Sequence, residues 1–166
     1  MAPSPLYSRL LSLSKSHAQP KDATEIFAIR SGDAHHAWGH KYLVSRNPKL
    51  GDYMDNDAFR AHLQSTGRYL DFAGAELHDI VIDENQRKSV IRMSYFLTPK
   101  GSKETVENDL IWVLKFTDDE EVDKVLVKES VEFTDAAASG RLGTVIRELH
   151  GELEEDVRGG ITLKEV

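Results

Sequence analysis

The chain of 166 residues contains no cysteine. Disulfide bonds, thiol nucleophiles, and zinc or iron–sulfur sites with cysteine ligands are therefore excluded. Positive charge is also scarce, because 21 Lys and Arg against 28 Asp and Glu give a net charge of −7. Phosphate binding needs a basic face, and no basic cluster with interleaved aromatics offsets this balance. We therefore expect no nucleic-acid partner.

Long apolar runs are absent as well. No stretch approaches the roughly 18 apolar residues of a membrane span, so we expect no membrane insertion. The N-terminal segment MAPSPLYSRLLSLSKS is interrupted by charges and lacks a small-residue cleavage site, which argues against a signal peptide. These features predict a cytoplasmic protein. Serine-nucleophile elbows, glycine-rich phosphate loops and dinucleotide fingerprints are also missing, and we expect no cofactor.

What is present is the composition of a globular domain, with 40% hydrophobic and 30% charged residues. Start and stop signals predict three helices, over residues 4–20, 22–32 and 55–67. The segment AHHAWGHKYLVS is predicted to be a strand. Asp135 is predicted to cap a fourth helix near the C-terminus.

After Gly67 the pattern predicts four long strands, over residues 69–83, 87–98, 104–117 and 123–134. Short, turn-rich connections should make them antiparallel in sequence order. Helices followed by such a meander predict the α+β class, with a curved antiparallel sheet forming a cone and the N-terminal helices packed on its concave face. We expect a single domain over residues 1–152 and, unless it docks, a flexible acidic tail over residues 153–166.

Ionisable side chains interrupt the apolar strands, notably His78, Asp109 and Glu132. Burying a charge costs several kcal/mol unless it is paired or neutralised, so such groups in neighbouring strands indicate a pocket suited to acid–base chemistry. Alternation alone does not decide which face His78 or Asp109 takes. For Glu132, alternation favours a side chain that faces solvent. The opposite face of that strand would then be the apolar one, with Val125, Val127, Val131 and Phe133.

Three histidines, His35, His36 and His40, form the densest titratable cluster. On a strand, positions 36, 38 and 40 share a face, but no acidic residue has matching spacing to complete a three-ligand site. Partly exposed strand histidines and a single acid–base histidine are both better interpretations. We expect no bound metal.

Two motifs, Asn108-Asp109-Leu110-Ile111-Trp112 and Glu132-Phe133-Thr134-Asp135, are separated by an acidic turn. Together with His36 seven residues before Leu43, they resemble the SnoaL-like branch of the nuclear-transport-factor-2-like superfamily. The match covers most of residues 20–150. Asp109 replaces the commoner Glu and Leu110 an aromatic residue, so we expect substrate contacts to differ from those of better-known members.

The resemblance implies that Glu132 points into the cone, where the similar limonene epoxide hydrolases hold a catalytic carboxylate. It implies a cofactor-independent isomerase or cyclase that moves protons on an aromatic polyketide. Within the branch, the chain looks most like the fungal isomerases of tetrahydroxanthone biosynthesis. It also implies a homodimer, because an inward Glu132 would leave the apolar face of its strand to be covered.

We accordingly predict Glu132 and either His78 or His36 as base and acid, with Asp109 orienting a histidine. The predicted substrate-binding residues are the nearby aromatic and basic side chains: Trp38, His62, Arg92, Tyr95 and Trp112. A dehydratase or epoxide hydrolase of the same fold, and a non-catalytic ligand-binding or dimerisation module, remain alternatives.

Overall fold

A computed structural model describes residues 2–51 and 53–165; Met1, Asp52 and Val166, which fall within the predicted domain and tail, lie outside the described residues. The helices are α1 (Pro5–Ala18), α2 (Ala23–Ala28), α3 (Lys41–Arg46), α4 (Asn56–Gly67) and α5 (Ala136–His150). The strands are β1 (Arg30–Trp38), β2 (Met54–Asp55), β3 (Leu70–Asp83), β4 (Lys88–Pro99), β5 (Val106–Phe116) and β6 (Val127–Phe133).

The predicted helix starts are confirmed by their caps. The Ser4 hydroxyl accepts from the Tyr7 amide at 2.9 Å, and Asp55 accepts from the Ala58 amide at 2.8 Å. Asp22 and Asp135 cap α2 and α5 in the same way. Each side-chain oxygen satisfies an amide that the first helical turn leaves without a partner. The predicted end of the second helix is wrong: α2 stops at Ala28 because the chain enters β1 at Arg30.

The sheet has six strands in the order β2-β1-β6-β5-β4-β3. The four long strands β3 to β6 pair antiparallel in sequence order, as predicted. One pair differs, because β1 runs parallel to β6. The sheet is curved and unclosed, and α1 packs on its inner face against β3, β4 and β5. The α+β prediction is therefore confirmed.

The prediction of a strand through AHHAWGHKYLVS is half wrong. Strand β1 ends at Trp38, His40 takes a left-handed conformation with φ of 59°, and α3 follows. Gly39 allows this turn, because a Cβ there would lie 2.3 Å from the ring of Phe133. The absent side chain thus lets the chain leave the sheet in close contact with β6.

The segment after α5 is not the solvated tail that we expected. Val157, Ile161 and Leu163 are buried, and Arg147 on α5 donates hydrogen bonds to the carbonyl oxygens of Leu163 and Thr162, both at 3.0 Å. Gly143 allows the contact, since a Cβ there would lie 2.4 Å from the Ile161 carbonyl oxygen. The apolar residues of this otherwise acidic segment hold it against the rest of the fold, because their burial removes hydrophobic surface from water.

The main core lies between α1 and the inner face of the sheet. Leu10 and Leu13 from α1 meet Ile91, Met93 and Leu114, all at most 2% exposed. Two of the valines that we assigned to the outer face, Val125 and Val127, are fully buried in this core, so that assignment is wrong. Across residues 2–51 and 53–165, no helix combines the length and apolar character that crossing a membrane requires.

Candidate active site

A cavity of about 460 Å³ opens between the inner face of the sheet and the helices. Its volume falls within the range of small-molecule sites. Apolar and aromatic side chains form most of its wall, including Ile26, Phe59, Leu63, Leu97, Leu142 and Ile161. The last of these belongs to the segment after α5, which therefore closes one side of the cavity.

Glu132 points into this cavity from β6. In the sheet it is paired with Trp38 on β1 and Trp112 on β5, so two tryptophans flank the carboxyl group. The simple alternation of β6 fails because Lys128 is an extra residue: Val127 pairs with Phe116, whereas Glu129 pairs with Lys115. After this bulge the even-numbered residues face inward.

The carboxyl group of Glu132 lies in an apolar environment, and burial raises its pKa to about 8. Loss of hydration disfavours the charged form, and no cation or hydrogen-bond donor opposes the shift. Glu132 is therefore mostly protonated at neutral pH. A carboxyl group with a pKa this close to neutral can both release and take up a proton.

The predicted aromatic residues Trp38, Tyr95 and Trp112 all line the cavity. The Tyr95 hydroxyl donates to the Ala18 carbonyl oxygen at 3.2 Å, and burial, together with the nearby Glu132 carboxyl, raises the Tyr95 pKa. The indole nitrogen of Trp38 is buried without a hydrogen-bond partner in the described protein, whereas the Trp112 indole lies beside the Tyr95 side chain.

Of the predicted histidines, His62 lines the cavity, whereas His36 lies behind its wall. His62 Nδ1 lies 3.2 Å from the Arg158 carbonyl oxygen, and burial lowers the pKa of His62 to about 4. His36 is fully buried, stacks on Phe59 at 4.3 Å, and has a pKa well below its usual value, mainly because of burial. The structure thus gives His36 no place on the cavity surface.

Three predicted site residues, His78, Arg92 and Asp109, are not in the cavity, and their assignment to it is corrected. They lie on the outer face of the sheet, because Leu110 and Trp112 face inward and alternation turns Asp109 outward. Arg92 Nη2 donates to Asp109 Oδ2 at 2.6 Å, which lowers the pKa of Asp109. His78 Nε2 and Ser94 Oγ are 2.8 Å apart on the same outer face.

Among the polar residues of the cavity, His17 was missed by sequence reasoning, and Asn108 was placed in the first strand motif but given no role at the site. Asn108 is held by Ser139 and Thr134, through hydrogen bonds of 3.0 and 3.2 Å. His17 comes from α1, where helical spacing with Leu10 and Leu13 made it resemble an ordinary core position. That spacing was the available signal, since it placed a titratable ring on the buried face of the helix.

No group of three or more His, Asp or Glu residues in the described parts of the chain is arranged to hold a metal ion. The residues gathered at the cavity include the Glu132 carboxyl group, the neutral imidazoles of His17 and His62, and aromatic rings, and Lys21 and Asp22 also line it. Such a set suits proton transfer on an apolar molecule.

No family model matches the chain, and no curated protein sequence matches it. Several solved structures do match this chain. PrhC from Penicillium brasilianum is 17% identical, with a TM-score of 0.69, over 88% of this chain and 93% of its own. BvnE pinacolase from Penicillium brevicompactum is 16% identical, with a TM-score of 0.70, over 89% of this chain and 99% of its own.

A SnoaL-like protein from Mesorhizobium loti is 12% identical, with a TM-score of 0.58, over 77% of this chain and 97% of its own. Together with the curved sheet and inner cavity, these likenesses show that the chain has the SnoaL-like fold of the nuclear-transport-factor-2-like proteins. The fold expected from the sequence motifs is confirmed.

Proposed function

We propose that the protein is a cofactor-independent isomerase or cyclase that moves protons on an aromatic polyketide. The observation that carries this proposal is the Glu132 carboxyl group, enclosed in an aromatic cavity and with a pKa raised to about 8. General acid–base catalysis works best when the pKa lies near the operating pH. A structural carboxyl group would more simply be paired or exposed, as Asp109 is.

In the proposed reaction, the ionised Glu132 takes a proton from a carbon next to a carbonyl group. The C–H electron pair forms a carbon–carbon double bond, and the carbonyl π pair moves to oxygen to give an enolate. Glu132 then delivers its proton, or one exchanged from solvent, to another carbon of the enolate and is ionised again. For ring closure, a hydroxyl oxygen of the same molecule adds to a carbon–carbon double bond conjugated with a carbonyl group. The C–O bond forms as the double-bond electron pair shifts to give an enolate, and the hydroxyl proton passes through Glu132 to the α carbon. The overall composition of the substrate is unchanged, and no redox step is involved.

The proposed substrates are the ring-opened anthraquinone intermediates of tetrahydroxanthone formation. The aromatic wall of the cavity, with Trp38, Phe59 and Trp112, suits stacking with a planar phenolic ring. The two strand motifs resemble the SnoaL-like branch, and within it the chain looks most like the fungal isomerases of tetrahydroxanthone biosynthesis, which supports the same class. One protein of similar fold, BvnE, is named a pinacolase, which is an enzyme name.

We also propose that the protein is a homodimer that pairs through the outer face of the sheet. Val81, Val90 and Ile111 on that face are 57%, 41% and 39% exposed. A row of exposed apolar side chains on neighbouring strands is unusual for a monomer and favours a covered surface.

The test is turnover of ring-opened anthraquinone acids in D₂O, followed by chromatography and mass spectrometry. We expect the wild type to give an isomeric product with deuterium at carbon, and Glu132→Gln to be slower by ~10²-fold or more. Glu129→Gln is the matched control, because Glu129 is on the same strand but faces outward beside His35. It should react at the wild-type rate.

Two outcomes would contradict the proposal. Wild-type turnover by Glu132→Gln would remove the carboxyl group from the mechanism. A product that has gained or lost water would identify a hydrolase or a dehydratase instead.

A further inference from the structure

His17 has an unusual environment for a buried histidine. The residue is only 3% exposed, and neither Nδ1 nor Nε2 has a hydrogen-bond partner in the described protein. Its ring meets that of Trp112 edge-on, with centroids 4.6 Å apart. Buried polar groups are nearly always hydrogen-bonded, so two unsatisfied nitrogens in one ring require an explanation.

Each of the other two buried histidines has a hydrogen-bond partner on one ring nitrogen. His36 is 3.2 Å from the Ser130 hydroxyl, and His62 is 3.2 Å from the Arg158 carbonyl oxygen. Only His17 both lines the cavity and keeps both ring nitrogens unpaired. His17 therefore brings to the cavity wall a ring whose two nitrogens have no partner in the surrounding protein.

The position of His17 relative to Glu132 is also specific. Trp112 pairs with Glu132 across β5 and β6, and the His17 ring packs against the same indole. The carboxyl group and the imidazole thus adjoin one tryptophan from two elements, β6 and α1. All three side chains line the same cavity.

We infer that His17 is a catalytic residue of the cavity, whose ring N–H donates to the carbonyl oxygen of the molecule that Glu132 deprotonates. The inference rests on the proposed function. As the C–H electron pair shifts toward that oxygen, the developing negative charge is stabilised by the N–H group. The second nitrogen accepts from a hydroxyl group of the same molecule. The ring itself neither gains nor loses a proton.

The charge state of His17 agrees with this role. Burial, aided by the positive charge of Arg30, lowers the pKa of His17 to about 3. The imidazole is thus neutral throughout the neutral range, and a neutral ring has one donor and one acceptor. An imidazolium would have two donors and no acceptor.

The test uses His17→Phe, which keeps an aromatic ring against Trp112 but removes both nitrogens, and His17→Gln, which keeps a donor and an acceptor. The control is His78→Phe on the outer face. Thermal unfolding gives the Tm of each variant. Binding of 1,8-dihydroxyanthraquinone is followed by tryptophan fluorescence, which reports on the cavity because both tryptophans of the chain line it.

We expect His17→Phe to have a Tm equal to or above that of the wild type, because an unsatisfied buried group is removed. Its affinity for the probe should fall about 10-fold, and His17→Gln should recover part of that loss. His78→Phe should bind as the wild type does. Such a separation of stability from binding is not expected of a structural histidine.

Three results would overturn the inference. The first is a His17→Phe protein that binds the probe as the wild type does, and the second is a wild type that does not bind it. The third is a marked fall in the Tm of His17→Phe, which would make His17 a structural residue. Failure of the proposed function is distinguishable, because it is read from deuterium incorporation by the wild type and Glu132→Gln and not from Tm or binding.

Discussion

The inner and outer faces of the sheet both carry acidic side chains, and Glu132 and Asp109 show how differently the two faces treat them. Asp109 is partly exposed and paired with Arg92 at 2.6 Å, so its pKa is lowered. Glu132, on the neighbouring strand, faces an apolar cavity, so its pKa rises to about 8. The two carboxyl groups differ in environment more than in chemistry, and only the inner one can exchange protons near neutral pH.

The same contrast holds for the histidines. His78 on the outer face lies near Ser94 and Glu76, whereas His17, His36 and His62 on the inner side are buried with lowered pKa values. Glu132 and these three imidazoles are thus mostly uncharged at neutral pH. Ionisable side chains that are buried and uncharged therefore indicate the position of the site better than the number of charged residues does.

The largest expected effect of this contrast is acid destabilisation. An unfolded histidine binds a proton as pH falls below 6.5, but His17, His36 and His62 stay neutral in the folded state. As pH falls below 6.5, the free energy of unfolding should then decrease by about 1.4 kcal/mol per pH unit for each histidine. For the three histidines together, the decrease should be about 4 kcal/mol per pH unit. Urea unfolding between pH 5 and 7 measures the slope, and a flat profile would contradict the burial of these rings.

A smaller effect of opposite sign is expected from Glu132. Its folded pKa of about 8 lies above its ordinary value of 4.5, so its contribution to stability is complete below pH 4.5 and is lost as pH rises to 8. Glu132→Gln removes this loss and should raise the free energy of unfolding at pH 7 by about 3 kcal/mol. Urea unfolding of the variant against Glu129→Gln checks this. Equal stabilities at pH 7 would mean that the carboxyl group is hydrated.

The smallest effect on folding is expected on the outer face. Ile111→Lys places a charge on a side chain that is 39% exposed, so the free energy of unfolding should change by less than about 0.5 kcal/mol. Association should change more: we expect the wild type to sediment as a dimer at micromolar concentration and the variant as a monomer. Leu149→Lys on α5, also at an exposed apolar residue, should remain dimeric. A monomeric wild type would show that this face is not an interface.

The local structure could largely be predicted from the sequence. Helix starts at Ser4, Asp22, Asp55 and Asp135 follow from short-range hydrogen bonds between a side-chain oxygen and the next few amides. The four long strands follow from alternation and turn residues. Errors occurred where tertiary contacts decide the backbone, as at Gly39 and His40, where the ring of Phe133 and the left-handed turn end β1 early.

The site could be predicted only in part, because strand faces depend on bulges that alternation does not reveal. Lys128 is an extra residue in β6, and it turns Glu132 inward against the simple amphipathic pattern. His78 lies beside a similar irregularity between Leu77 and Asp79, and it faces outward. His17 was missed because a histidine at helical spacing among leucines does not show whether its nitrogens will find partners.

Gly143 has a consequence for the cavity, although it lies outside it. The glycine lets the chain after α5 approach so closely that a single added methyl group would collide with the backbone at Ile161 and Leu163. That stretch carries Gly160 and Ile161 into the wall of the chamber. The space available to a bound molecule therefore depends in part on a residue that does not line the cavity. A substitution of Gly143 would displace this segment and change the cavity volume, although every residue around the reacting atoms stayed the same.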